Sequence, residues 1–129
     1  MSRRVDHSTH FSRSELQCHC GCGRCYMDAA FMARLERLRQ AFGKPMRLSS
    51  AYRCPDYNAR VSHTGLTGPH TTGRAVDVLI SGEEAYRLVQ LALEYGFTGI
   101  GIAQRGPYER RFIHLDDLEG DLRPRVWSY

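Results

Sequence analysis

Asp77 stands inside Ala75-Val76-Asp77-Val78-Leu79-Ile80, a run that is otherwise apolar. A carboxylate in such a run is costly to bury unless it is paired, hydrogen-bonded or bound to a metal. His70 precedes it in a His-x6-Asp spacing, and Gly73 between them lets the backbone turn sharply. His114 lies in Phe112-Ile113-His114-Leu115-Asp116, where alternation puts Phe112, His114 and Asp116 on one face of a strand. Two imidazoles and a carboxylate suit catalytic zinc, which keeps a fourth position open for water. The alternative reading makes His70 a surface loop residue, Asp77 a turn cap and His114 a core histidine bonded to backbone. Spacing alone does not choose between the two.

The elements that must position these residues follow from the patterning. Residues 1–10 read as a flexible arm, and residues 11–129 as one domain. Phe11 to Leu16 forms a short turn or helix that docks Phe11 and Leu16. Asp28 caps a helix over about 28–42, whose Phe31, Met32, Leu35, Leu38 and Phe42 repeat at three and four. Gly43 falls where a left-handed cap belongs, and Pro45 blocks continuation. Residues 46–51 read as a strand, residues 52–72 as a long irregular and functional segment, and residues 75–80 as a buried strand. Ser81 with Glu84 forms a capping box for a helix over about 82–95, with Ala85, Leu88, Val89 and Ala92 as its stripe. Residues 98–103 and 111–115 form a hairpin, and the tail is irregular, with Trp127 and Tyr129 folding back. The expected class is α+β: a small, mostly antiparallel sheet with two main helices.

With 129 residues, the chain has the length of one domain with its own core. No apolar run approaches the ~18 residues needed to cross a bilayer. The basic start lacks the hydrophobic stretch of a signal peptide, so cytoplasmic synthesis without general secretion is expected. The net charge is +4, and Lys44 is the single lysine beside the arginines. That charge suits approach to an anionic polymer. The arginines are scattered, so no nucleic-acid stripe is expected. Cys18, Cys20, Cys22 and Cys25 fall in one glycine-containing loop, and Cys54 stands apart. Free thiols, one or two disulfides, and a second metal all remain open for them.

Three segments in this order carry a resemblance: Leu48-Ser-Ser-Ala-Tyr-Arg-Cys-Pro-Asp-Tyr-Asn58, Gly68-Pro-His-Thr-Thr-Gly-Arg-Ala-Val-Asp77 and Arg111-Phe-Ile-His-Leu-Asp116. From about Phe11 to Tyr129 the chain resembles the zinc D-Ala-D-Ala carboxypeptidase family. That family includes peptidoglycan L,D- and D,D-endopeptidases and phage endolysins, and shares the Hedgehog-type fold. The resemblance implies one zinc held by His70, Asp77 and His114, which would activate water and polarise a scissile carbonyl. It also implies that Arg53, in Ser-x-Tyr-Arg, clamps a substrate carbonyl or carboxylate; the alternative is a structural salt bridge.

Many members carry a catalytic acid three residues before the last zinc histidine, and others a histidine two before. Those positions here are Arg111 and Phe112. Asp116, two residues past His114 and about 6–7 Å along the strand, becomes the candidate base or a carboxylate that orients a histidine. Glu109 and Asp117 are the reserve candidates. Thr71, Thr72 and Arg74 are expected to line the approach, with Thr72 bonding Asp77. Asn58 is expected to tie the loop, and His63 to lie at the surface. The implied activity is a zinc peptidase acting on peptidoglycan stem peptides or crosslinks. It would act at the bacterial cell wall after release or on a phage particle, as a monomer without stable membrane insertion. The rival is a zinc-stabilised, non-catalytic wall-binding or phage structural domain.

Overall fold

The computed structural model describes residues 3–129. Its elements run β1 (Arg4–Val5), α1 (Arg13–Leu16), β2 (Met27–Asp28), α2 (Ala29–Phe42), β3 (Arg47–Ser50) and α3 (Pro55–Val61). Two short 3-10 turns follow, Gly65–Thr67 and Pro69–Thr72, then β4 (Ala75–Leu79), α4 (Gly82–Glu94) and β5 (Gly99–Ala103). A 3-10 turn over Tyr108–Arg110 leads to β6 (Phe112–Asp116) and finally β7 (Arg125–Ser128). The α+β class expected from the patterning is what the structure shows.

The main sheet has the order β3-β4-β6-β5-β7, antiparallel throughout except for the β5–β7 pair. Strand alternation sorts its side chains. Val76, Val78, Ile100, Ile113 and Leu115 enter the apolar core with Phe31, Met32, Leu35 and Leu38 of α2 and Ala85, Leu88 and Ala92 of α4. The intervening positions on β4 and β6 carry Asp77, His114 and Asp116. Helix α2 is specified by its ends: Asp28 accepts from the Phe31 amide at 2.9 Å, and Gly43 closes the helix in the left-handed conformation.

Four expectations are corrected. The segment before residue 11 is no free arm over its described part, residues 3–10: β1 pairs antiparallel with β2, Ser8 bridges Phe11, and Ser8 and the His10 backbone bond Glu36. Residues 1 and 2 lie outside the described residues. The segment 52–72 contains α3, which starts on Pro55 and buries Asn58 rather than an apolar stripe. Ser81 sits at the N-cap of α4 without a side-chain cap bond, and Glu84 instead approaches Lys44 at 3.4 Å. The tail is not irregular over 125–128, because β7 pairs in parallel with β5.

Gly73 joins the turn that bears His70 to the strand that bears Asp77. Its φ is +74°, and a Cβ there would collide with the Tyr26 carbonyl oxygen. Gly43 has a φ of +76° but faces open space. Both alanine substitutions strain the backbone, and only Gly73→Ala adds a clash. Gly73→Ala should therefore lose more than about 1 kcal/mol beyond Gly43→Ala, read from urea midpoints at constant m value. Equal midpoints would remove Gly73 from the account of how the site is built.

Candidate metal centre

One row of residues crosses the sheet. Ser50 on β3 lies opposite Asp77, Asp77 opposite His114, His114 opposite Gly101, and Gly101 opposite Trp127 on β7. The register shift between Leu48 and Ser50 brings Ser50 into this row. His70 enters from the 3-10 turn before β4. The structure thus brings together His70, Asp77 and His114, all buried, with one donor atom of each within 4.8 Å of the others.

Each histidine has one ring nitrogen committed to the protein and one left for the centre. His70 Nδ1 lies 2.7 Å from the Ala51 carbonyl oxygen. A carbonyl only accepts, so Nδ1 carries the proton and Nε2 faces Asp77 Oδ1 at 3.3 Å. His114 uses the opposite nitrogens: Nε2 meets Asp116 Oδ2 at 2.7 Å, and Nδ1 faces Asp77 Oδ1 at 3.0 Å. A tetrahedral zinc with bonds of about 2.0–2.1 Å places neighbouring donors about 3.3 Å apart. The spacing and chemistry of these three donors fit such an ion.

Charge alternates through the site. Burial by itself would raise the Asp77 pKa, but His70 and His114 overcome it and hold the carboxyl well below the usual carboxylate range. Burial would lower the His114 pKa, and its bonds to Asp116 and Asp77 raise it instead. Asp116 is fully buried. Burial would raise its pKa too, yet the bonds from His114 and Arg123 hold it low. Arg123 grips Asp116 with both ends of its fork, Nε to Oδ1 at 2.9 Å and Nη2 to Oδ2 at 2.8 Å. The Leu118 amide adds a third donor at 3.3 Å.

Arg53 stands beside the centre. Its Nε donates to Ser50 Oγ at 3.1 Å and its Nη1 to Asn58 Oδ1 at 3.0 Å, while Nη2 lies 3.7 Å from Asp77 Oδ2. Asn58 in turn donates to Thr64 Oγ1 and the Gly65 carbonyl, tying the loop as expected. Thr72 does not bond Asp77; its hydroxyl donates to the Pro69 carbonyl. Arg74 bonds Asp117 at 2.8 Å rather than lining an approach, and Arg34 approaches Asp117 at 3.5 Å from a second direction. Glu109 and His63 are exposed.

Sequence reasoning expected Trp127 to fold back but not to reach His114, and it missed Arg123 and the glycines of β5. The Trp127 ring packs 5.0 Å from the His114 ring, and a Cβ on Gly101 would push into both residues. A Cβ on Gly99 would strike the Asp116 carboxylate. The signal was present in Gly99-Ile100-Gly101, an alternation of nothing and a core side chain.

The family model described as Peptidase M15 matches residues 9–116, most of the chain. The chain belongs to the M15 peptidases. These are metallopeptidases, in accord with the grouping of His70, Asp77 and His114. No curated protein matches this M15 chain. The matched stretch ends at Asp116, so Arg123 and Trp127 lie beyond it.

Two outcomes follow for metal binding. A proton on His114 Nδ1 competes with the ion for that nitrogen, and the His114 pKa is raised. Zinc affinity should therefore fall as pH drops through this raised value, with a proton released on binding. Competition against a chromophoric chelator across pH reads this directly, and a pH-independent affinity would refute it. Asp116→Asn keeps the shape but removes the charge that fixes the His114 ring. It should weaken zinc binding by about 10–100-fold, while His114→Ala should abolish binding at this centre.

Proposed function

We propose that the protein is a zinc-dependent peptidase that hydrolyses amide bonds in peptidoglycan stem peptides or crosslinks. The observation that carries this reading is the pair of oppositely committed histidines, each aiming its remaining nitrogen at the same oxygen of Asp77. A zinc ion held by His70, Asp77 and His114 would supply a Lewis acid for a scissile carbonyl and a water nucleophile at neutral pH.

The chain's own residues supply binding and orientation. Arg53 has five N–H donors. Ser50 and Asn58 each accept one, and the approach to Asp77 is long. The unspent donors can hold a substrate carbonyl or terminal carboxylate against the centre, a role suited to a planar guanidinium. On the β7 side, Trp127 packs against His114 and the Tyr129 ring packs on Phe112 at 5.1 Å.

Asp116 acts in this reading as a positioning carboxylate rather than as the proton shuttle. It is fully buried, and both of its oxygens are held by Arg123 while His114 takes one of them as well. Arg111 and Phe112 supply no group that exchanges protons at neutral pH: Arg111 bonds the Gly106 carbonyl and stacks over Tyr108, and Phe112 packs on Tyr129. Glu109, the reserve candidate, is exposed on the turn that leads into β6 and shares a surface depression with Phe42, Arg47, Ser81 and Glu84, not with His70, Asp77 and His114.

Digestion of defined stem peptides and purified walls, followed by mass spectrometry, tests the whole reading. New amines should appear with zinc-loaded protein, vanish with chelator and return with added zinc. Glu109→Gln should retain both zinc and turnover; a loss of about 10²–10⁴ in turnover at full zinc, the usual worth of a positioned acid–base group, would move the shuttle into that turn. Asp116→Asn should lose turnover in step with its zinc content, and full zinc with lost turnover would return the shuttle to Asp116. Zinc-loaded protein that binds walls and cleaves nothing would make this a binding domain.

A further inference from the structure

Cys54 leaves the isolated position it has in the sequence and joins Cys18, Cys20 and Cys22, with all four sulfurs within 4.8 Å of one another. Cys25 turns away, its thiol directed at the Asp6 carbonyl at 3.8 Å. All five cysteines are free. Cys18 and Cys20 sulfurs lie 3.5 Å apart, and those of Cys20 and Cys54 3.7 Å apart. A disulfide needs about 2.05 Å. Four thiolates around a tetrahedral zinc, with bonds of about 2.3 Å, stand about 3.8 Å apart.

The backbone around the cluster is built for this. The Cys18 amide donates to the Arg24 carbonyl at 3.0 Å and closes the loop into a knuckle. Gly21 and Gly23, at φ +90° and +77°, supply the left-handed turns that wrap it. Backbone amides donate to sulfur in two places, Cys54 N to Cys18 Sγ at 3.3 Å and Arg24 N to Cys22 Sγ at 3.5 Å. Such donors stabilise thiolates over thiols. The fourth ligand comes from a distant part of the chain, the N-cap of α3.

We infer that Cys18, Cys20, Cys22 and Cys54 form a second, structural zinc site, separate from the centre at His70, Asp77 and His114. Four thiolates and a closed tetrahedron leave no position for substrate, as in structural rather than catalytic sites. What the ion would hold is the 51–54 segment. Ala51 bears the carbonyl that fixes His70, the Tyr52 amide bonds the Leu16 carbonyl, and the Arg53 amide bonds the His70 carbonyl. Zinc on Cys54 anchors the far end of that segment to the cysteine loop, and with it the backbone that bears Arg53.

This site stands or falls independently of the peptidase reading, and the test separates them. His70→Ala and His114→Ala proteins, purified under reducing conditions, should each retain one equivalent of zinc after dialysis against weak chelator. A thiol-specific mercurial should release it. Cobalt(II) loaded into the same variants should give the strong near-ultraviolet sulfur-to-metal charge-transfer band of a thiolate site, and Cys22→Ser added to His114→Ala should weaken that band by at least one thiolate's share; an unchanged band would overturn the assignment of Cys22. Loss of all metal from both histidine variants would overturn the proposal. So would a cobalt spectrum without sulfur charge transfer, bound iron in place of zinc, or peptide mapping that finds these cysteines paired as disulfides in freshly reduced protein. Should Cys22→Ser fail to fold, the metal count and cobalt spectrum of the histidine variants decide alone.

Discussion

A carboxylate with no contact to water constrains the structure around it. Asp116 is charged and fully buried, and it is tolerable only because His114, Arg123 and the Leu118 amide all donate to it. Losing one such partner typically costs about 3–5 kcal/mol, because the remaining charge is stranded. Each partner has a structural consequence. The bond to His114 decides which of its nitrogens looks at Asp77. Room for the carboxylate requires that β5 present no side chain at Gly99. The need for Arg123 makes the chain after β6 turn back over the strand it has just left, and that return delivers β7 and Trp127 to the edge of the sheet.

The sheet divides two jobs that would otherwise conflict. One set of alternating positions meets α2 and α4 and supplies apolar burial. The other set holds a chain of charges, from Arg53 through Asp77, His114 and Asp116 to Arg123. A period of two keeps the sets apart along every strand. The donors can therefore converge without any charged group entering the hydrophobic layer. Rigid strands, rather than loops, set the separation of Asp77 and His114, and the one ligand that comes from a turn, His70, is pinned by a bond to Ala51.

What the sequence disclosed was local. Helix α2 was legible because Asp28 and Gly43 mark its ends and its apolar residues repeat cleanly. Asp77 was legible as a contradiction, a carboxylate in an apolar strand. Helix α3 was not, because it turns a buried Asn58 inward where a stripe would be apolar. Nor was β7, whose Val126 is exposed and whose partner, β5, lies more than twenty positions earlier. Asp116 was placed on the right face, but pleat geometry alone did not show its side chain meeting His114 while Arg123 holds both its oxygens. That grouping, like the arrival of Cys54 among the loop cysteines, depends on contacts between distant segments.

The empty positions at Gly99 and Gly101 have a consequence for variation. Neither residue offers a functional group, and neither has a positive φ, so backbone preference does not explain them. They are cavities reserved for their neighbours' side chains. A survey of all single substitutions would find both positions as intolerant as the histidines, with even alanine rejected at Gly99. The loss would be graded by volume, and no change of charge or polarity would rescue it. In a search for essential residues, this strand would register as part of the active site although it contributes no atom to any reaction.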